Sequence, residues 1–242
     1  MKKTALIVAP HPDDESIIGL LPLRLQEECG FKVWVVPASL GSRVERREAR
    51  QKELQSACKV LGFQVRFLSS GHPTANAGKE LSGLLEKLCP TVIFIPHAKD
   101  GHPTHRLTHR LAVAAMDAAS QHFFHVVETE YWQPLERPNL MVAATDEQLT
   151  TLCRALACHQ GEMARNDYAA RLPAWLIDNV RRGAELIGGA GAVAPAIEWA
   201  TLYRARRRVA GAWRAEFSGG RTIESSEDLG ELAARWKPLR AR

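Results

Sequence analysis

The segment "PHPDDE" sets one histidine, His11, and three carboxylates, Asp13, Asp14 and Glu15, directly after the apolar run "TALIVAP". A dinucleotide-binding turn needs glycines at this place so that backbone can approach a pyrophosphate. Carboxylates would repel that phosphate, and with a histidine beside them they attract a divalent cation instead. His11 and Asp14 are three residues apart, one at the end of a strand and one in the first turn of a helix. Both can therefore converge above the carboxyl edge of a sheet. Catalytic zinc takes three protein ligands and keeps a fourth position for water, so a third ligand must come from elsewhere along that edge. A second cluster, "AKDGHPTHRLTHR", follows the apolar run "TVIFIPH" and offers His102 and His105.

These clusters need elements to bring them together. Runs at 4–10, 32–39, 65–69, 91–97 and 123–132 read as strands, and helical patterns lie between them near 15–29, 44–61, 78–88 and 105–119. Strict alternation implies right-handed βαβ units, a mostly parallel Rossmann-like sheet, and helices on both faces. In a doubly wound sheet the first and fourth strands commonly lie side by side at the switch point, which would set His102 and His105 near His11 and Asp14. After about residue 145 the rhythm changes to helices at "DEQLTTLCRALACHQGEMA" and "LPAWLIDNVRRGAEL", a glycine-rich loop at 188–196 and a short helix at "LGELAARW". The expectation is one domain, 1–242, with its core in 1–145 and a C-terminal helical and loop part in 146–242.

Composition fits that class. Hydrophobic residues make up 45% and charged residues 24% of 242 positions, and no apolar run approaches the span of a bilayer. The N-terminus opens like a signal peptide, but its apolar run ends at Pro12, Asp13 and Asp14. Five cysteines, never spaced C-x-x-C, argue against a disulfide framework and for a reducing, cytoplasmic setting. The net charge of +5 gathers late, in "YRARRR" (203–208) and "WKPLRAR" (236–242). A solvated helix face and a frayed tail account for it, while attraction to a lipid surface or a phosphate-bearing substrate is the sharper reading. No nucleic-acid recognition module accompanies the charge. Trp175, Trp199, Trp213 and Trp236 lean the same way, toward peripheral contact with the inner face of a membrane.

An ordinary reading stands beside each of these residues. Asp13, Asp14 and Glu15 would serve as a helix cap, and His105 as a plain histidine at a helix start. Capping requires neither His11 nor a histidine pair after the one strand expected to lie adjacent. His159 could reach the site from the C-terminal half, although helical histidines are usually structural. On a helix Glu53 joins the stripe of Leu54, Ala57 and Leu61, where a charge is expensive unless paired. Arg50, three residues before it, is the expected partner.

"PHPDDE" followed by "DGHPTHRLTH" resembles the signatures of the PIG-L/LmbE family of metal-dependent N-deacetylases. The Arg50-x-x-Glu53 pair upstream of Leu61-Gly62 resembles a third family feature, and the likeness runs from about residue 4 to 119. The resemblance implies that His11, Asp14 and His105 bind zinc, with ferrous iron fitting the same ligands. It implies that Asp13 is the general base, that His102 stabilises the oxyanion or protonates the leaving amine, and that Arg50 contacts substrate hydroxyls. Glu15, Glu53 and Asp100 then stand behind these groups. The sequence departs from the family twice. H-P-D-H reads H-P-T-H, so Thr104 replaces the aspartate that would orient the catalytic histidine and Asp100 becomes the candidate to hold His102. A Pro-Asp-Gly turn after the third strand reads "SSGHP". The implied activity is removal of acetyl from an N-acetylglucosamine-type sugar in a small-molecule or lipid-linked conjugate; the alternative is a relative that binds metal and sugar without turnover.

Overall fold

The computed structural model describes residues 3–120 and 123–236. Its first strand, β1 (Thr4–Ala9), is buried throughout, and its alternate side chains feed two separate cores. Ala5, Ile7 and Ala9 face one cluster with Leu21, Leu54 and Leu152. Leu6 and Val8 face the other with Leu81, Leu85 and Leu111. A strand buried on both faces is what a parallel sheet covered by two helix layers requires.

After β1 come α1 (Asp14–Ile17), α2 (Leu20–Cys29), β2 (Lys32–Pro37), a 3₁₀ turn (Val44–Arg46), α3 (Arg47–Leu61), β3 (Gln64–Val65) and α4 (Ala75–Leu88). β4 (Val92–Pro96), α5 (Pro103–Ala118), β5 (Phe123–Thr129) and β6 (Leu140–Ala144) follow, then α6 (Asp146–Ala157), α7 (Gln160–Met163) and α8 (Tyr168–Gly188). The chain continues with β7 (Trp199–Val209), β8 (Ala212–Ala215), β9 (Arg221–Ile223) and α9 (Gly230–Arg235). Among the described residues these strands form one sheet in the order β3-β2-β1-β4-β5-β7-β6-β9, with β8 on β7. The run from β3 to β5 is parallel, and β1 lies between β2 and β4, so the order reverses at β1. The carboxyl ends of β1 and β4 therefore open onto one crevice.

The sheet is larger than the alternating pattern predicts. The C-terminal part holds helices, and it also returns β7 antiparallel between β5 and β6. "YRARRR" is thus a strand, not a solvated helix face. Arg206 lies 3.3 Å from Glu128 and Arg208 2.6 Å from Asp117, while Arg207 donates to Ala215 O. Trp213 packs over Arg206 and Arg208, Trp236 is buried, and Trp199 donates to Asp146. These partners take up the groups that suggested a membrane face; residues 237–242 of the basic tail lie outside the described residues. No helix among the described residues is long and apolar enough to cross a membrane.

The helix expected over 15–29 breaks into α1 and α2. The break leaves backbone groups that β7 satisfies: the Tyr203 hydroxyl donates to Ile18 O at 2.8 Å and accepts from the Leu21 N–H at 3.0 Å. Tyr203 is fully buried. Tyr203→Phe orphans both groups, and chemical denaturation should read a loss of about 1–3 kcal/mol.

Candidate functional site

β1 ends at Ala9, and beyond Pro10 the chain turns sharply at Asp13, whose backbone sits at φ 112° and ψ −33°. A non-glycine residue held there stores about 1–3 kcal/mol of strain and persists only where its surroundings dictate it. Here they do. The Asp13 N–H donates to Glu15 Oε2 at 2.9 Å, the Asp13 carbonyl accepts from Ser16 and Ile17, and Arg50 donates to Pro12 O at 3.0 Å. Asp13 is 7% exposed and lines a cavity of about 560 Å³ above the β1 and β4 ends.

Asp14 starts α1 and turns back, its Oδ2 accepting the His11 N–H at 2.8 Å. The same oxygen lies 3.4 Å from His11 Nδ1 and 3.6 Å from His105 Nε2. His105 is buried on the first turn of α5, and neither ring nitrogen has a well-formed hydrogen bond; Nδ1 lies 3.3 Å from Asp100 Oδ1. One nitrogen from each of His11, His102 and His105 lies within 4.8 Å of the others. Buried polar nitrogens without partners are rare in folded proteins. Two histidines and a carboxylate on one point, with Asp100 behind one ring, form a donor set that suits a divalent cation.

His102 caps α5: its Nδ1 accepts the Thr104 backbone N–H at 3.2 Å. An accepting Nδ1 leaves the proton of the neutral ring on Nε2, so this histidine presents a donor rather than a ligand lone pair. That bond sets His102 apart from His11 and His105, although all three rings are close. The departure at position 104 also finds its physical answer here. A backbone N–H, which any residue but proline carries, holds the ring. Asp100 does not touch that ring; Oδ1 accepts the His102 backbone N–H at 2.8 Å and faces the His105 ring. Asp100 was expected to hold His102, and it backs His105 instead, because the Oδ1 that accepts the His102 backbone N–H is thereby aimed at His105 Nδ1. Thr104→Ala should accordingly leave kcat within about two-fold of wild type, the scale of an ordinary surface substitution.

The titrations follow from this crowding. Burial raises the Asp13 pKa well above the usual carboxylate range, the Asp14 charge adds to it, and Arg50 opposes it. For Asp14 burial also pulls upward, but His105 and His11 outweigh it and hold the carboxyl low. Burial and the two neighbouring imidazoles lower His102. For His105 burial pulls down, but Asp14 and Asp100 outweigh it and raise the ring.

Arg50 and Glu53 do not pair. Arg50 reaches toward the crevice, 3.6 Å from Glu162 and 4.0 Å from Asp13, while Glu53 pairs with Arg46 at 2.9 Å and accepts from Gly161. Spacing of three on α3 made them neighbours, yet α7 supplies both with better partners. Gly41 makes room for the arginine: it has φ 93°, and a Cβ there would sit 2.6 Å from Arg50 Nη1. The SSGHP turn that replaces the family's motif places His72 and Pro73 on the cavity wall, with His72 against Arg47. His159, expected to be structural, is fully buried and bonds Glu15 Oε1 at 2.9 Å.

The cavity has walls the motifs did not announce. Arg43 and Arg46 precede α3, Tyr131 and Trp132 follow β5, and Tyr168 and Trp175 come from α8. Trp132 is 59% exposed, with its ring 6.4 Å from both the His102 and Tyr168 rings. Aromatic–aromatic pairs between "ETEYW" and the α8 pattern were the available signal, but nothing local says that the two segments meet.

Residues 6–116 match the family model described as PIG-L, GlcNAc-PI de-N-acetylase. Over that segment, a little under half of its length, the chain is similar to the PIG-L/LmbE family. It is 26% identical over 136 residues to a probable N-acetyl-alpha-D-glucosaminyl L-malate deacetylase 2 from Bacillus cereus, covering 48% of this chain and 62% of that protein. It is 30% identical over 160 residues to a 1D-myo-inositol 2-acetamido-2-deoxy-alpha-D-glucopyranoside deacetylase 2 from Catenulispora acidiphila, covering 49% and 53%. The chain thus spans less than two thirds of either relative. Its fold is shared, at 19% identity and TM-score 0.64, with a 4-carboxy-2-hydroxymuconate hydratase from Pseudomonas putida, over 84% of this chain and 95% of that one. Other solved structures of this fold are deacetylases.

Proposed function

We propose that this PIG-L/LmbE-like chain is a metal-dependent hydrolase that removes the N-acetyl group from an N-acetylglucosamine-type sugar within a larger conjugate, in the cytoplasm, yielding acetate and a free amine. One observation carries the reading: the buried Asp13 carboxylate lines the same cavity as the His102 imidazole and as Asp14, whose Oδ2 lies 3.4 Å from His11 Nδ1 and 3.6 Å from His105 Nε2. His11, Asp14 and His105 would hold the metal, and zinc is the ion their donor types suit best. A divalent cation so held polarises an amide carbonyl and makes water acidic enough to attack near neutral pH.

The chain's own residues do the rest. Asp13 takes the proton of the attacking water, and the burial that raises its pKa strengthens it as a base. The Nε2–H of His102 is available to the carbonyl oxygen as charge develops there. Asp13 then passes its proton to the departing nitrogen, which leaves as the amine while the acyl group leaves as acetate. Arg50 contacts the sugar hydroxyls from the crevice side, and Trp132 offers an exposed ring for an apolar sugar face. A cavity of about 560 Å³ holds more than one sugar ring, which supports a conjugate as substrate.

Fold likeness alone does not choose the reaction, since a hydratase shares it. Both curated relatives carry a sugar deacetylase name, and that tips the choice. A relative that binds without turnover would follow from a failed His102, but the Thr104 N–H keeps that ring in place. The test is acetate release by zinc-loaded protein from N-acetylglucosamine linked to malate, to inositol, to a second sugar and to a lipid phosphate. Release from at least one, and from none with chelated protein, is expected; no release from any conjugate despite stoichiometric metal would sink the enzyme reading.

A further inference from the structure

The match to the family model ends at residue 116, inside α5, so nothing in it speaks for the residue between α6 and α7. His159 lies there, 0% exposed and 144 positions from its partner Glu15, which is also 0% exposed. Glu15 is the hub of a small network. Its Oε1 accepts from His159 Nε2 at 2.9 Å and from Ser16 Oγ at 2.7 Å, while its Oε2 accepts the Asp13 N–H at 2.9 Å. His159 Nδ1 has no partner, and Nε2 is the atom that donates to Glu15.

We propose that His159 is a positioning residue: through Glu15 it holds the Asp13 peptide in its strained turn and so aims the Asp13 carboxylate into the cavity. The argument is mechanical. The φ of 112° at Asp13 is unfavourable for any side chain, and the backbone will relax unless a fixed acceptor meets its N–H. Glu15 is that acceptor, but a glutamate has three rotatable bonds, and something must fix its carboxylate. Ser16 is its chain neighbour and moves with it. His159 comes from another part of the fold, where its own N–H of the backbone donates to Leu156 O and its carbonyl accepts from Glu162 and Met163. The imidazole is thus the one partner of Glu15 anchored independently of α1 among these contacts. Misplacement of about an ångström in a catalytic group can cost on the order of a hundred-fold in rate.

The proposal rests on Asp13 being the base, and the test separates the two. His159→Leu removes the donor at similar volume; His159→Gln puts an amide N–H where Nε2 stands. For both, kcat, KM, metal content and thermal melting would be measured, and the crystal structure of each solved. In the leucine variant kcat should fall about ten- to a hundred-fold, with KM and metal content unchanged and Asp13 φ leaving the positive region. Glutamine should restore both the φ and most of the rate. A leucine variant that keeps the wild-type Asp13 conformation and kcat overturns the positioning role, as does a folded glutamine variant no better than leucine. Should the wild type release acetate from no conjugate, the deacetylase reading falls, and the Asp13 φ in the two variants still decides this one.

Discussion

Asp13→Asn should lower kcat by about 10²–10⁴-fold, the usual contribution of a positioned acid–base group, while metal content and KM stay at their wild-type values. Asparagine is the right replacement because it tolerates positive φ better than alanine does, so the turn survives and only the basicity goes. Stability should not suffer. The Asp13 pKa is raised on folding, by burial and by Asp14; a carboxyl whose folded pKa exceeds its unfolded value destabilises the fold at every pH above the unfolded pKa. Asparagine never ionises and avoids that penalty, so the melting temperature of the metal-free protein at neutral pH should be equal or higher. Lost activity with retained or gained stability cannot be a folding defect. A variant that keeps more than about a tenth of the wild-type kcat would remove Asp13 from the role of base.

What could be read from the sequence was what local pattern and general topology control. The β1 and β4 runs carry their own periodicity, and the switch-point rule alone brings His11, Asp14, His102 and His105 to one crevice. What escaped depended on partners distant in the chain. "YRARRR" looks like a solvated surface because nothing nearby neutralises it; Glu128 and Asp117 do so from β5 and α5, and its buried Tyr203 and Ala205 alternate with the arginines as a strand requires. Arg50 and Glu53 were matched by helical spacing, but α7 offered Glu162 and Gly161, more than a hundred positions away. His159 reads as one more helical histidine until Glu15 is seen opposite it. In each case the sequence names the group correctly and only the fold supplies its partner.

The second large effect concerns the donor set itself. Protein stripped by a chelator should release no acetate, regain it on addition of zinc, and keep its far-ultraviolet circular dichroism throughout, because β1 and β4 are held by their two cores rather than by the site. Asp14→Ala and His105→Ala should bind no stoichiometric metal, since each removes a donor from a set of three that has no spare. His102→Ala should bind metal as the wild type does and fail only in turnover, because its Nδ1 is taken by the Thr104 N–H and its Nε2 carries the proton. Asp100→Asn makes the finer distinction. Its carboxylate stands 3.3 Å behind His105 Nδ1, and loss of such a supporting charge typically weakens metal affinity about 10–100-fold. Competition with a chromophoric chelator measures all four. Stoichiometric zinc in the Asp14 variant, together with its loss in the His102 variant, would move the ligand set to the three histidines and take from His102 its part as a hydrogen-bond donor to the carbonyl oxygen.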